Sequence, residues 1–177
     1  EFGVFHPARI DRWRPLVNLR THRKIVVCDA RVGFAGGINI TSDENDALHP
    51  HHAYRDTHLR LEGAAVNWLQ YLFLQDWAYA QGTRRLPAGL FAAATPAEGE
   101  PAIATQVIAS GPDTSGQAIH RATLHAIGSA RQRVWLTTPY FVPTEPTLMA
   151  LTNAALRGVD VRLMVPQRCD SRLVGAA

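Results

Sequence analysis

A chain of 177 residues that is 46% hydrophobic, 19% charged and 8% aromatic has enough apolar material for one ordinary domain or parts of two. It excludes wholesale disorder, which requires low hydrophobicity and high net charge. The 13 glycines and 11 prolines follow no period, which excludes collagen-like and low-complexity readings. A net charge of +3 is too mild to imply nucleic acid as a partner, and two cysteines, Cys28 and Cys169, are too few for a disulfide scaffold.

In chain order, the opening Glu1-Phe2-Gly3-Val4 lacks the basic-then-apolar pattern of a signal peptide. Residues 5–24 are rich in Arg, with Pro7 and Pro15 breaking any long helix. The Arg9 to Arg23 stretch with Trp13 suits anionic headgroups or plain solvent equally. Arg23 to Cys28 is a β-branched apolar run, Asp29-Ala30-Arg31 a turn, and Val32 to Gly37 a returning strand, which together read as a hairpin. Inside that run Cys28 reads as a small reduced thiol. Thr41 to Ala53, with its charges and three histidines, reads as a loop. Tyr54 to Glu62 alternates as a strand, and Gly63 to Ala80 follows as a helix with Gly82 past its end. The Trp68, Leu69, Leu72 and Phe73 stripe of that helix reads as core, and its interruption by Asn67, Gln70, Gln75 and Asp76 argues against a membrane span.

Residues 83–103 shift to Ala, Pro and Gly without periodicity and mark a linker. Beyond it, Ala104 to Ser110 reads as a strand, and Thr114 or Ser115 as the cap of a helix with Ile119, Ala122, Ala126, Ile127 and Ala130 at helical spacing. Val134 to Thr138 reads as a strand, Thr144 to Gly158 as a capped helix, and Val159 to Val165 as a strand. That alternation is a βαβαβ unit, whose crossovers require a parallel sheet.

The chemistry concentrates in the hairpin. The 18 Lys and Arg residues of the whole chain include a single lysine, Lys24, and a chain that otherwise writes its cations as Arg keeps Lys where a compact, movable ammonium is wanted. His22 lies two residues earlier, so both side chains leave the same face of the strand. The hairpin returns to Gly36-Gly37-Ile38-Asn39, where the glycines admit close backbone approach and Asn39 offers an amide donor. An imidazole, a fixed cation and a neutral donor at one point suit a phosphate. His49, His51 and His52 near Asp43, Glu44 and Asp46 fall in a loop too irregular to promise a metal site.

His22-Arg23-Lys24-Ile25-Val26-Val27-Cys28-Asp29 matches the HxKxxxxD pattern of the phospholipase D superfamily, and Gly36-Gly37-Ile38-Asn39 the block that follows it. Further stretches are similar to bacterial cardiolipin synthases: 18–24 including Arg20, 54–58, 73–77 and 138–143. The resemblance implies an α/β fold of two phospholipase D-like lobes, a mixed or parallel sheet flanked by helices, each lobe giving one motif to a central site. It implies phosphatidyl transfer through a phosphohistidine, one histidine attacking phosphorus and the other serving the alcohols as acid and base, without metal or cofactor. Carried over, His22 is one of the pair, Lys24, Gly36, Gly37 and Asn39 hold the phosphate, and Asp56 orients a histidine ring. Asp29, of opposite strand parity, serves the turn, and Gly37 stands where many relatives have Ser. Arg20, Tyr140 and Phe141 are candidates for lining the site, the last two because they follow the carboxyl end of a strand.

No second HxKxxxxD occurs, since His120 and His125 lack a lysine at the right spacing. The chain therefore reads as the rear part of a first lobe (1–82), a linker (83–103) and the opening of a second (104–177). Both lobes are incomplete and hold half an active site, with the second motif expected from further C-terminal sequence or from a homodimer. The partners implied are a phosphatidylglycerol-like phospholipid and the cytoplasmic face of the cell membrane. A phosphodiesterase or nuclease, and a catalytically incomplete interaction module, are the alternatives; nucleic acid is disfavoured by the absence of a dense basic track.

Overall fold

A computed structural model describes residues 2–4, 22–45, 47–48, 56–83, 85, 89–91, 103–111 and 116–166. The chain divides into two units, Glu1–Val107 and Ile108–Ala177. In the first, β1 (Lys24–Cys28), β2 (Val32–Gly36) and β3 (His58–Glu62) form an antiparallel sheet in that order, and α1 (Ala64–Ala80) packs on it. The β1–β2 turn closes through the Arg31 N–H donating to the Cys28 carbonyl at 3.0 Å, with Asp29 and Ala30 both at φ 52°. Positive φ at two successive central residues is what a turn of the primed kind demands, and Asp accepts it more readily than Ala.

Sheet parity decides which side chains the helix covers. Val27, Gly33 and Leu61 are register partners, as are Ile25, Ala35 and Leu59, so these two rows share the face toward α1. Gly33 is buried there, and a Cβ on it would lie 2.8 Å from Leu69 Cδ1. Arg23 has the same parity and donates from one guanidinium nitrogen to both oxygens of Asp76, at 2.9 and 3.1 Å, which ties the entrance of β1 to the helix. The buried side of α1 is Val66, Leu69, Leu74 and Ala78. The expected core stripe is therefore only partly right: Leu69 is buried, but Trp68 is 60% and Phe73 43% exposed. One helix on a three-stranded sheet buries a single face, and these two rings lie off it. The helix ends as expected at Gly82 (φ 65°), with the Thr83 N–H bonded to the Ala78 carbonyl and the Gly82 N–H to that of Tyr79.

In the second unit α2 (Ala118–Ser129), β4 (Arg133–Thr137), α3 (Glu145–Leu156) and β5 (Asp160–Met164) follow in order, with β4 and β5 parallel. Gly158 (φ 85°) ends α3 in the same double hydrogen bond, from Val159 to Ala154 and from Gly158 to Ala155. That turn carries Val159 onto Ala154 and Ile127, the buried cluster of this unit. The strand expected at Ala104 to Ser110 is absent: residues 103–111 have no regular structure, because no described strand offers them a ladder. The α2 cap also differs, since Gln117 at φ 48° stands at that position without a side-chain cap bond, while Thr114 and Ser115 lie outside the described residues. Cys28, expected inside an apolar run, is a free and exposed thiol on the face turned from α1. Among the described residues no helix is long and apolar enough to cross a membrane.

Candidate active site

The signature residues gather at one end of the first unit's sheet. Because Arg23 turns toward α1, His22 and Lys24 take the opposite parity and belong to the uncovered face. Lys24 pairs with Gly36 and Gly36 with His58, so one row of register crosses all three strands there. Neither the His22 nor the Lys24 side chain has an ion pair or hydrogen bond among the described residues.

Past the strands the pairing continues, with the Gly37 N–H donating to the Thr57 carbonyl at 3.0 Å. This brings Asp56 beside the glycine pair: a Cβ on Gly37 would overlap the Asp56 carboxylate. The absence of a side chain at Gly37 is thus a steric requirement of the acid's position. Asp56 Oδ1 also accepts the Thr57 N–H at 2.6 Å, which holds the carboxylate against the backbone.

Asn39 is placed differently from a simple phosphate donor. Its backbone N–H and its amide Nδ2 both donate to the Glu44 carboxylate, at 2.7 and 2.6 Å. The 3-10 turn Ser42–Glu44 carries that acid back toward Asn39. An amide nitrogen has two hydrogens, so Glu44 orients the group while one N–H remains for a ligand. Glu44 was visible in the sequence only as one acid among several in a loop, five residues from Asn39 and with no periodic signal. His58 was readable as part of the 54–58 stretch, but its place across from Lys24 depends on pairing between strands distant in sequence.

The other candidates lie elsewhere. Arg20, His49, His51 and His52 fall outside the described residues, and among those described no group of His, Cys, Asp and Glu could hold a metal ion. Asp29 is a turn residue, exposed at the opposite end of β1. Tyr140 and Phe141 belong to the second unit after β4, where the Tyr140 N–H donates to Thr138 Oγ1 at 3.3 Å and the Thr138 hydroxyl donates to the Tyr140 carbonyl at 3.0 Å. The second unit also has an open depression of about 500 Å³ lined by Ser110, Gly111, Gln117, Ile119, His120 and Thr123.

Residues 123–176 match the family described as cardiolipin synthase, PLD-like domain. The chain is 44% identical over 176 residues to the cardiolipin synthase of Halalkalibacterium halodurans, an alignment covering 98% of this chain and 34% of that protein. Along nearly its whole length the chain is similar to cardiolipin synthases. It is also 42% identical over 174 residues to cardiolipin synthase 2 of Bacillus anthracis, covering 98% and 34% of the two chains. With cardiolipin synthase A of Pseudomonas putida it shares 46% identity over 162 residues, covering 91% and 33%. The chain thus spans about a third of the length of the curated relatives it matches. No solved structure gives a significant match. The chain's architecture is α/β, consistent with a phospholipase D-like fold, antiparallel in the unit that carries HxKxxxxD and parallel in the other.

Proposed function

We propose that this chain supplies one histidine–lysine motif of a phosphatidyltransferase of cardiolipin-synthase type, acting on a phosphatidylglycerol-like lipid at the cytoplasmic face of the membrane. The observation that carries the reading is the convergence at one sheet end of His22, Lys24, the Gly36–Gly37 backbone and the Asp56 carboxylate. The similarity to cardiolipin synthases along nearly the whole chain supports lipid over nucleic acid as the substrate.

In this reading the Lys24 ammonium neutralises non-bridging phosphate oxygens, and the remaining Asn39 N–H donates to another, both gaining as charge develops in the transition state. His22 is one of two histidines. One forms a bond to phosphorus as the bond to the leaving alcohol breaks, and the other gives that alcohol its proton. The incoming alcohol oxygen then bonds to phosphorus as the phosphorus–nitrogen bond breaks, and its proton passes to the second histidine. The second histidine comes from a further HxKxxxxD segment or from a second copy of the chain.

The test uses the protein expressed from its complete reading frame and phosphatidylglycerol vesicles. His22→Ala is expected to abolish cardiolipin formation, and retained activity would overturn the assignment. Turnover of DNA without turnover of lipid would make the protein a nuclease. Activity is expected to survive exhaustive chelation; its loss, with rescue by one specific divalent ion, would defeat the phosphohistidine route and move attention to His49, His51 and His52.

A further inference from the structure

His58 is used by none of these steps, yet it stands in the same row as Lys24. Residues directly opposed on antiparallel strands send their side chains to one face, so Lys24 and His58 flank the bare position of Gly36. Two strand spacings separate their Cα atoms by about 10 Å. A Cβ on Gly36 would run into the Thr57 carbonyl and lie 2.6 Å from His58 Cα and 2.8 Å from His58 Nδ1, so the β3 backbone and the His58 ring both come close to the glycine. The missing side chain lets β3 approach closely enough to set His58 in the same row as Lys24.

The two ring nitrogens differ. Nδ1 is closed from solvent and has no hydrogen-bond partner, whereas Nε2 is not closed off in this way. With Nδ1 closed off, Nε2 is the ring nitrogen that a ligand can reach, and in the tautomer protonated there it is a donor. This tautomer makes His58 a hydrogen-bond donor without using a backbone group.

We propose that His58 is a further phosphate-binding residue of this site. Its Nε2–H donates to one non-bridging oxygen of the phosphate whose other oxygen lies against the Lys24 ammonium. The proposal rests on the reading of His22 and Lys24 as a phosphodiester-transfer site. It adds a third anchor, across the sheet from the lysine, that neither signature block contains.

The experiment uses the protein from its complete reading frame, with kcat/KM on phosphatidylglycerol vesicles and the inhibition constant of inorganic phosphate as readouts. Glutamine places an amide nitrogen near Nε2 and asparagine one near Nδ1, so the two variants separate the nitrogens. His58→Gln is expected to stay within about threefold of wild type. His58→Asn and His58→Ala should lose about 10- to 100-fold in kcat/KM and weaken phosphate inhibition, as removal of a hydrogen bond to a charged group does. Unchanged values in all three, with Lys24→Ala inactive, would overturn the role of His58 and leave the site reading standing. Equal losses in Gln and Asn at equal thermal stability would also overturn it, since packing alone would then be at stake. Full activity of Lys24→Ala would overturn the site reading itself, and His58 with it.

Discussion

The two units spend their polar side chains in opposite ways. In the second, they are consumed on one another. Both nitrogens of His120 are engaged, Nδ1 with Gln117 Oε1 at 3.3 Å and Nε2 with the hydroxyls of Thr147 and Thr144 at 3.1 and 3.2 Å. Arg157 donates to the carbonyls of Ile127, Gly128 and Ala130 at the end of α2, and Trp135 donates to Asp160. In the first unit Arg23 is matched with Asp76 on the helix side and Asn39 with Glu44 past β2, while the side chains of His22, Lys24 and His58 on the other face have no protein partner among the described residues. A histidine that bridges two helices holds them together. One left without a partner, in the same row as an unpaired ammonium, is what the proposed phosphate site requires.

The largest expected effect breaks or confirms this contrast directly. In the protein from the complete reading frame, Lys24→Ala should lower kcat/KM by about 10²- to 10³-fold, the scale of a lost transition-state anchor. His120→Ala should leave turnover within about threefold and lower the thermal midpoint, because the hydrogen bonds it loses tie α2 to Thr144 and Thr147 and serve stability rather than chemistry. Similar kinetic losses in both would erase the distinction between the units.

Next in size is the support beneath the site. Leu69 is 4% exposed and lies under Gly33, so Leu69→Ala should cost about 2–5 kcal/mol in urea unfolding. Gly37→Ala is a finer probe: its Cβ must displace the Asp56 carboxylate, with an overpacking cost of about 1–3 kcal/mol. Turnover should fall by more than that stability change explains, whereas Gly128→Ala, whose Cβ meets nothing within 4 Å, should leave both nearly unchanged.

The smallest effect belongs to the second unit's surface. Hydrogen bonds from Arg162 and then from Trp135 hold the exposed Asp160 carboxyl below its ordinary value of 3.8, against an opposing desolvation. A depressed folded value adds stability that is present above pH 3.8 and lost as pH falls through the folded value. Wild type and Asp160→Asn should therefore differ slightly in thermal midpoint near neutral pH, converge in acid, and converge with added salt. A difference that persists in strong acid would mean that packing, not charge, ties Asp160 to Trp135.

What could be read from the chain directly is local. The turn at Asp29–Arg31, the glycine ends of α1 and α3, and the shared parity of His22 and Lys24 all depend on residues within a few positions, where backbone sterics and strand alternation act without help. The HxKxxxxD and Gly-Gly-x-Asn blocks were legible for the same reason, being carried by one hairpin. Tertiary structure decided the rest. The row Lys24, Gly36, His58 exists because β2 lies between β1 and β3. Asp56 reaches Gly37 through that pairing, and Arg23 finds Asp76 across 53 positions of sequence. Trp68 and Phe73 are outside the core because a helix buries only the face its sheet meets, and the segment 104–110 is no strand because a strand needs a neighbour to satisfy its backbone. Periodicity states which residues share a face; only the packed chain states what that face meets.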